Sequence, residues 1–203
     1  MNPSAPLTRV DRVTVLITDD QLNPGWLDSI KDFFPSTVEI QLFFVYTGVL
    51  LVASTQIGSG FKKRLFCGFS HRTLQGPEPL PGIESGGLLD FAQMVAESEF
   101  ILSVPHTLEP VKRTSSRLKE VGVLLDAGLH RGVEGLRVAT GLAGCNHRLT
   151  VFFPLSSFPF IGGLPRVPLE AKPYLEALIA LNARFTATPA LFNSLEYDVL
   201  LRV

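Results

Sequence analysis

The order strand, acidic loop, helix, strand runs twice through this chain, and a chain that alternates in this way is confined to α/β folds built on parallel sheet. Residues 12–18 form a β-branched apolar run suited to a strand buried on both faces. Asp19-Asp20 follows it. Asn23-Pro24-Gly25 then opens a helix whose apolar stripe is Trp26, Leu27, Ile30, Phe33 and Phe34, and Pro35 ends it. The next strand is 38–45. In the second half 121–125 is the strand and Asp126-Ala127-Gly128 the acidic loop. A helix over 132–142 then turns Val133, Leu136, Val138, Ala139 and Leu142 inward, and 149–153 is the next strand.

After that point the halves diverge. The first passes through Tyr46-Thr47-Gly48-Val49 and a Gly/Ser loop at 57–60 to a short strand ending at Cys67. A loop at 77–87, a helix at 88–95 and a strand at 100–104 complete it. The second inserts a Pro-rich loop and an amphipathic helix at 168–181, which Pro173 allows to begin a turn late. Strands near 185–187 and 197–201 close it. Pro, Thr, Ser and basic residues crowd 105–117, so the expected division is a half at 1–107, a linker at 108–117 and a half at 118–203. A single continuous sheet is the competing arrangement.

Composition narrows the function classes. Hydrophobic residues make up 46% and charged residues 18%, which supports a well-buried core. A formal net charge of -1 argues against a general nucleic-acid binder or a polybasic membrane protein. The longest apolar stretch, 42–53, is too short to span a bilayer. The first residues lack a charged segment followed by an apolar run, and two cysteines do not make a disulfide framework. The expectation is a cytoplasmic protein with neither a membrane nor a nucleic-acid partner.

Chemistry concentrates in Arg64-Leu65-Phe66-Cys67-Gly68-Phe69-Ser70-His71-Arg72. The thiol falls at the carboxyl end of a strand, where ligands collect in open parallel sheets. Backbone N–H groups at Gly68 and Phe69, with His71 and Arg72 nearby, would favour its thiolate as a nucleophile or sulfur carrier. A small apolar side chain filling the core is the other reading. Cys145 with His147 invites a metal pair, but no second ligand cluster exists, so helix-end packing is the better reading and no metal or cofactor is expected. His130 and Arg131 precede the second-half helix at the carboxyl edge and are possible anion ligands. Asp19, Asp20 and Asp126 read as caps. The glycines near 58–60 lack phosphate-loop spacing, and Ser70 beside His71 does not make a triad. Phe152-Phe153-Pro154-Leu155 to Phe158-Pro159-Phe160 reads as an exposed interface or pocket lid, or else as a segment folded over its own core.

Taken together, Phe44-Val45-Tyr46-Thr47-Gly48-Val49, Leu65-Phe66-Cys67 with Arg72 and Gly76, and Gly86-Gly87-Leu88-Leu89-Asp90-Phe91 resemble the DsrE/DsrF/DsrH (TusD/TusC/TusB) sulfur-relay proteins. Residues 131–142 with Val151-Phe152-Phe153 are similar to a DsrE or DsrF opening. The resemblance implies two flavodoxin-like halves of parallel sheet flanked by helices, assembling into a homo- or hetero-oligomer. It also implies that Cys67 accepts sulfane sulfur as a persulfide from a protein donor and passes it to a partner thiol, aided by Gly68, His71 and Arg72. The second half has no cysteine near 185–188, as in an inactive subunit paired with an active one. Under this reading Cys67 is accessible and alkylates before Cys145. The competing function is a non-catalytic assembly or small-ligand-binding protein that keeps the fold.

Overall fold

A computed structural model describes residues 11–22, 25–55, 57–58, 60–104, 118–125, 129–187 and 197–203, with the backbone alone described for 129–131. The first half contains β1 (Arg12–Ile17), α1 (Gly25–Phe33), β2 (Glu39–Phe44), a 3₁₀ helix (Tyr46–Ala53), β3 (Lys63–Cys67), α2 (Gly68–Thr73), β4 (Glu84–Gly86), α3 (Leu88–Glu97) and β5 (Phe100–Val104). The second contains β6 (Glu120–Leu124), α4 (Leu129–Gly144), β7 (Arg148–Phe153), a hairpin of β8 (Phe160–Ile161) and β9 (Leu164–Pro165), a 3₁₀ turn (Leu169–Ala171), α5 (Lys172–Ala180), β10 (Arg184–Ala187) and β11 (Val199–Arg202).

The fold is α/β, with two parallel sheets flanked by helices. Strand order is β4-β3-β2-β1-β5 in one and β10-β7-β6-β11 in the other. Each half therefore sets its first strand between its second and its last. The likeness extends to single bonds. Arg12 faces Glu39 at the opening rung of β1 and β2 and donates to its carboxylate at 2.8 and 3.0 Å. Glu120 faces Arg148 at the same rung of β6 and β7, with a 2.9 Å bond from the guanidinium. An acid just before the last strand caps the first strand in both halves. Glu99 accepts from the Asp11 and Arg12 amides, and Asp198 accepts from the Glu120 amide. The sheets stay separate, but β5 and β11 lie side by side, and Ser103 Oγ donates to the Arg202 carbonyl at 3.0 Å.

One buried cluster belongs to the first half alone and includes Val13, Ile17, Leu42, Phe44, Val49 and Phe66. The other crosses the seam. It joins Phe43, Leu65, Cys67, Phe91 and Met94 to Val123, Leu136, Leu142, Val151 and Phe153. Helices α3 and α4 meet there so closely that a Cβ at Gly141 would stand 2.4 Å from Leu88 Cβ. Only a residue without a side chain fits at that crossing.

Most strands fall where the apolar runs place them. The segment 77–87, read as loop, carries β4, and the residues after Cys67 form a helix without any intervening loop. Pro173 lies in the first turn of α5, where its missing N–H costs nothing. The reading of the Phe-rich segment as an exposed lid is corrected. Phe152, Phe153 and Phe158 are buried, and Phe153 meets Phe158, Phe160 and Phe185 edge to face, so the segment closes its own core. The linker and Asp126 lie outside the described residues. Among the described residues no helix is long and apolar enough to cross a membrane.

His147 ties the halves together. Its Nδ1 accepts from the Lys119 amide at 3.2 Å, and its Nε2–H donates to the Ala92 carbonyl of α3 at 3.3 Å. Burial pushes its pKa below the ordinary value of about 6.5; the Ala92 bond opposes this and the Lys119 charge adds to it. The folded ring is neutral while the unfolded ring takes a proton first. Stability is therefore full above about pH 6.5 and falls as the pH drops toward the folded value. Chemical denaturation across that range should show a declining midpoint in the native chain. His147→Gln should start lower and show a shallower decline.

Candidate functional site

Strand β3 delivers Cys67 to the seam. Its last three residues are buried, and alternation sends Leu65 and Cys67 to the shared core and Phe66 to the other face. Cys67 pairs with Gly86 of β4, and the chain turns at once into α2. Gly68 lets Ser85 close in at that turn: a Cβ there would lie 2.6 Å from Ser85 Oγ, and the hydroxyl would have to rotate away.

The partner of the thiol comes from the other half. Arg137 of α4 donates from Nη2 to Cys67 Sγ at 3.1 Å and to Ser70 Oγ at 3.0 Å. Its Nε donates to Glu134 Oε2 at 2.7 Å, and Nη2 also pairs with Glu134 Oε1. Ser70 completes the ring by donating to Glu134 Oε1 at 2.6 Å. Phe69, half-exposed, lies over the guanidinium with Cζ 4.7 Å from the ring centre. Cys67, Ser70, Glu134 and Arg137 are all buried. Burial works against the Arg137 charge, but the Glu134 carboxylate, and to a lesser degree the Cys67 thiol, more than offset it and hold the guanidinium above its ordinary pKa. The cluster thus holds a permanent cation against a sulfur atom, one turn along α4 from its counter-ion.

The other expected site residues lie elsewhere. His71 sits on the opposite side of α2. Its ring is 4.7 Å from Phe66, its Nε2–H donates to the Pro77 carbonyl at 2.8 Å, and Gly76 leaves room for it. Arg72 is exposed; its carbonyl accepts from the Gln75 amide at 3.3 Å, and its side chain has no hydrogen bond or ion pair among the described residues. His130 and Arg131 are in the first turn of α4, and their side chains lie outside the description. Asp19 accepts from the Gln21 amide at 2.9 Å, tightening the turn after β1, whereas α1 begins at Gly25. Cys145 is half-buried and packs against the shared core at the end of α4.

Glu134 and Arg137 were not among the residues singled out from sequence. Their signal was present: they are the only charged side chains between Gly132 and Gly144 on a helix otherwise built of apolar and small residues. Such a pair at i, i+3 reads equally well as a solvated rung until the helix is known to be covered.

No family model matches this sequence, and no curated protein matches it. Among solved structures, the crystal structure of the ychN protein from E. coli aligns with a TM-score of 0.35 and 14% identity, covering 47% of this chain and 99% of that one.

Accessibility reverses the expected order of labelling. Cys67 is 1% exposed and Cys145 is half-buried. Limited alkylation of the native protein with peptide mapping should modify Cys145 first. The ion pair should also be costly to halve. Arg137→Leu leaves the Glu134 carboxylate buried without its cation and should lower stability by about 3–5 kcal/mol, while the double change with Glu134→Leu should recover most of that loss in equilibrium unfolding.

Proposed function

We propose that this chain is a cytoplasmic sulfur-relay protein in which Cys67 accepts sulfane sulfur from a protein donor and passes it to a partner thiol. The observation that carries this reading is the Arg137 guanidinium 3.1 Å from Sγ. A cation at that distance can pair with the negative charge of a thiolate, which is the nucleophile of sulfur exchange. The resemblance of the Cys67 segment to the sulfur-relay proteins supports the same chemistry.

The step is a thiol–disulfide-type exchange. The Cys67 thiolate attacks the terminal sulfur of a donor persulfide. A bond forms between Sγ and that sulfur, the donor's S–S bond breaks, and its electron pair leaves on the donor thiolate. The product is a Cys67 persulfide, whose outer sulfur is then open to attack by an acceptor thiol. Because Cys67 is 1% exposed, delivery requires the buried cluster around it to open. The second half acts here as the inactive partner of the first, supplying Arg137 in place of a thiol of its own.

That same burial favours a second reading, in which the chain is a non-catalytic assembly or small-ligand-binding protein and the cluster only fastens α2 to α4. The two separate in one measurement. After incubation with polysulfide and removal of excess reagent, peptide mass should locate one or more added sulfur atoms on Cys67 in the native protein, whatever Cys145 also takes up, and the intact mass gain should be smaller in Cys67→Ala. No gain on Cys67, with partner binding unchanged in Cys67→Ala, would establish the second reading.

A further inference from the structure

The Arg137 guanidinium is held along one side. Nε and one N–H of Nη2 clamp the two oxygens of Glu134, and Phe69 covers a face of the plane. Nη2 has two N–H bonds, and because the first points at Glu134, the second serves Cys67 Sγ and Ser70 Oγ. In a planar guanidinium that second bond runs parallel to one on Nη1, so the two make a fork aimed the same way. Sulfur occupies one tine. The other is open: among the described residues Nη1 has no hydrogen-bond partner. Gln41 Oε1 is the one buried side-chain polar atom without a partner among those residues, so Nη1 reaches solvent. A charged, oriented donor with one tine unused is half of a bidentate site beside the thiol.

The spacing of the fork suits one kind of occupant. Two nitrogens joined to one carbon by bonds of about 1.33 Å stand about 2.3 Å apart. The two sulfurs of a persulfide are about 2.05 Å apart. With Sγ on Nη2, a second sulfur bonded to it comes within hydrogen-bond reach of Nη1 when the S–S bond lies along the fork. We propose that Arg137 is the positioning residue for the transferred sulfur, with Nη1 binding the outer atom of a Cys67 persulfide while Nη2 keeps Sγ. This deepens the sulfur-relay reading and rests on it. The sulfur it selects is terminal and anionic, because an N–H donor of a cation bonds best to a negative atom and a carbon cap would take its place. Loading by inorganic polysulfide shows the balance. Once Sγ has given its proton to solvent, it forms a bond to the terminal sulfur of the polysulfide. That sulfur's bond to the rest of the chain breaks, and the electron pair leaves on the shortened polysulfide. The outer sulfur then lies at the end of the cluster that meets solvent, where an acceptor thiol arrives.

Stability before and after loading reads the contact directly. In a Cys145→Ala chain Cys67 is the only thiol, so inorganic polysulfide followed by removal of reagent loads one site, confirmed by peptide mass. An extra sulfur in a buried site overpacks it and lowers the denaturation midpoint unless a new bond offsets the strain. With Arg137 present the midpoint should rise on loading. Arg137→Lys keeps a cation but has no fork, and its midpoint should fall on loading. A purely structural role for Arg137 would weaken the loaded and unloaded variant alike and leave that difference unmoved. An unchanged or lower midpoint on loading with Arg137 present would overturn the assignment, as would an equal rise in Arg137→Lys. Should Arg137→Lys fail to fold, the shift with Arg137 present decides alone. Absence of added sulfur on Cys67 would sink the sulfur-relay reading and this assignment together, whereas a Cys67 persulfide that lowers the midpoint sinks the assignment only.

Discussion

The contact between α3 and α4 is the constraint on which the rest of this molecule depends. Each helix covers one sheet, and their meeting at Leu88 and Gly141 merges what would be two small cores into one. A half of about a hundred residues buries a modest fraction of its surface alone, and joining two of them raises that fraction. The same contact sets the angle and height of α4. Arg137 reaches sulfur only because α4 lies close enough to α3 for its middle turns to pass over the end of β3. The candidate site is therefore a by-product of core packing as much as a feature of either half.

Sequence patterning made the architecture legible because burial on both faces leaves a mostly apolar run, and β1, β2, β5, β6 and β7 all have one, broken at most by a single Thr14, Gln41, Ser103 or Thr150 after the opening residue. What was not legible depends on surroundings that a local pattern does not carry. Strand β4, with Glu84, Ser85 and Gly86, has no apolar signature because it is a short edge strand. Helix α2, at Gly68–Thr73, opens with a glycine and is too short to show a period. The Phe152–Phe160 stretch looked exposed because it sits among prolines, yet edge-to-face ring contacts draw it inward.

The site divided along the same line. Cys67 was recognisable from its place at a strand end. Its neighbours in sequence, His71 and Arg72, were not its neighbours in space, since a helix beginning at Gly68 turns them to other faces. Its true neighbour, Arg137, lies 70 residues away across the seam, and brings with it Glu134, which bonds Ser70. A charged pair inside an apolar helix marks a place where something must cover it, and here the cover is the thiol, Ser70 and Phe69.

The opening-rung ion pairs have a consequence for how a chain of two similar halves keeps them apart. Arg12 meets Glu39 in one half and Glu120 meets Arg148 in the other, with the signs exchanged between corresponding strands. Two halves with the same strand order invite each first strand to dock beside the wrong second strand during folding. An exchanged β1 would set Arg12 against Arg148, and an exchanged β6 would set Glu120 against Glu39. Both false pairings place like charges on the rung that aligns the strands. The reversal of sign thus gives each first strand a small preference for the second strand of its own half.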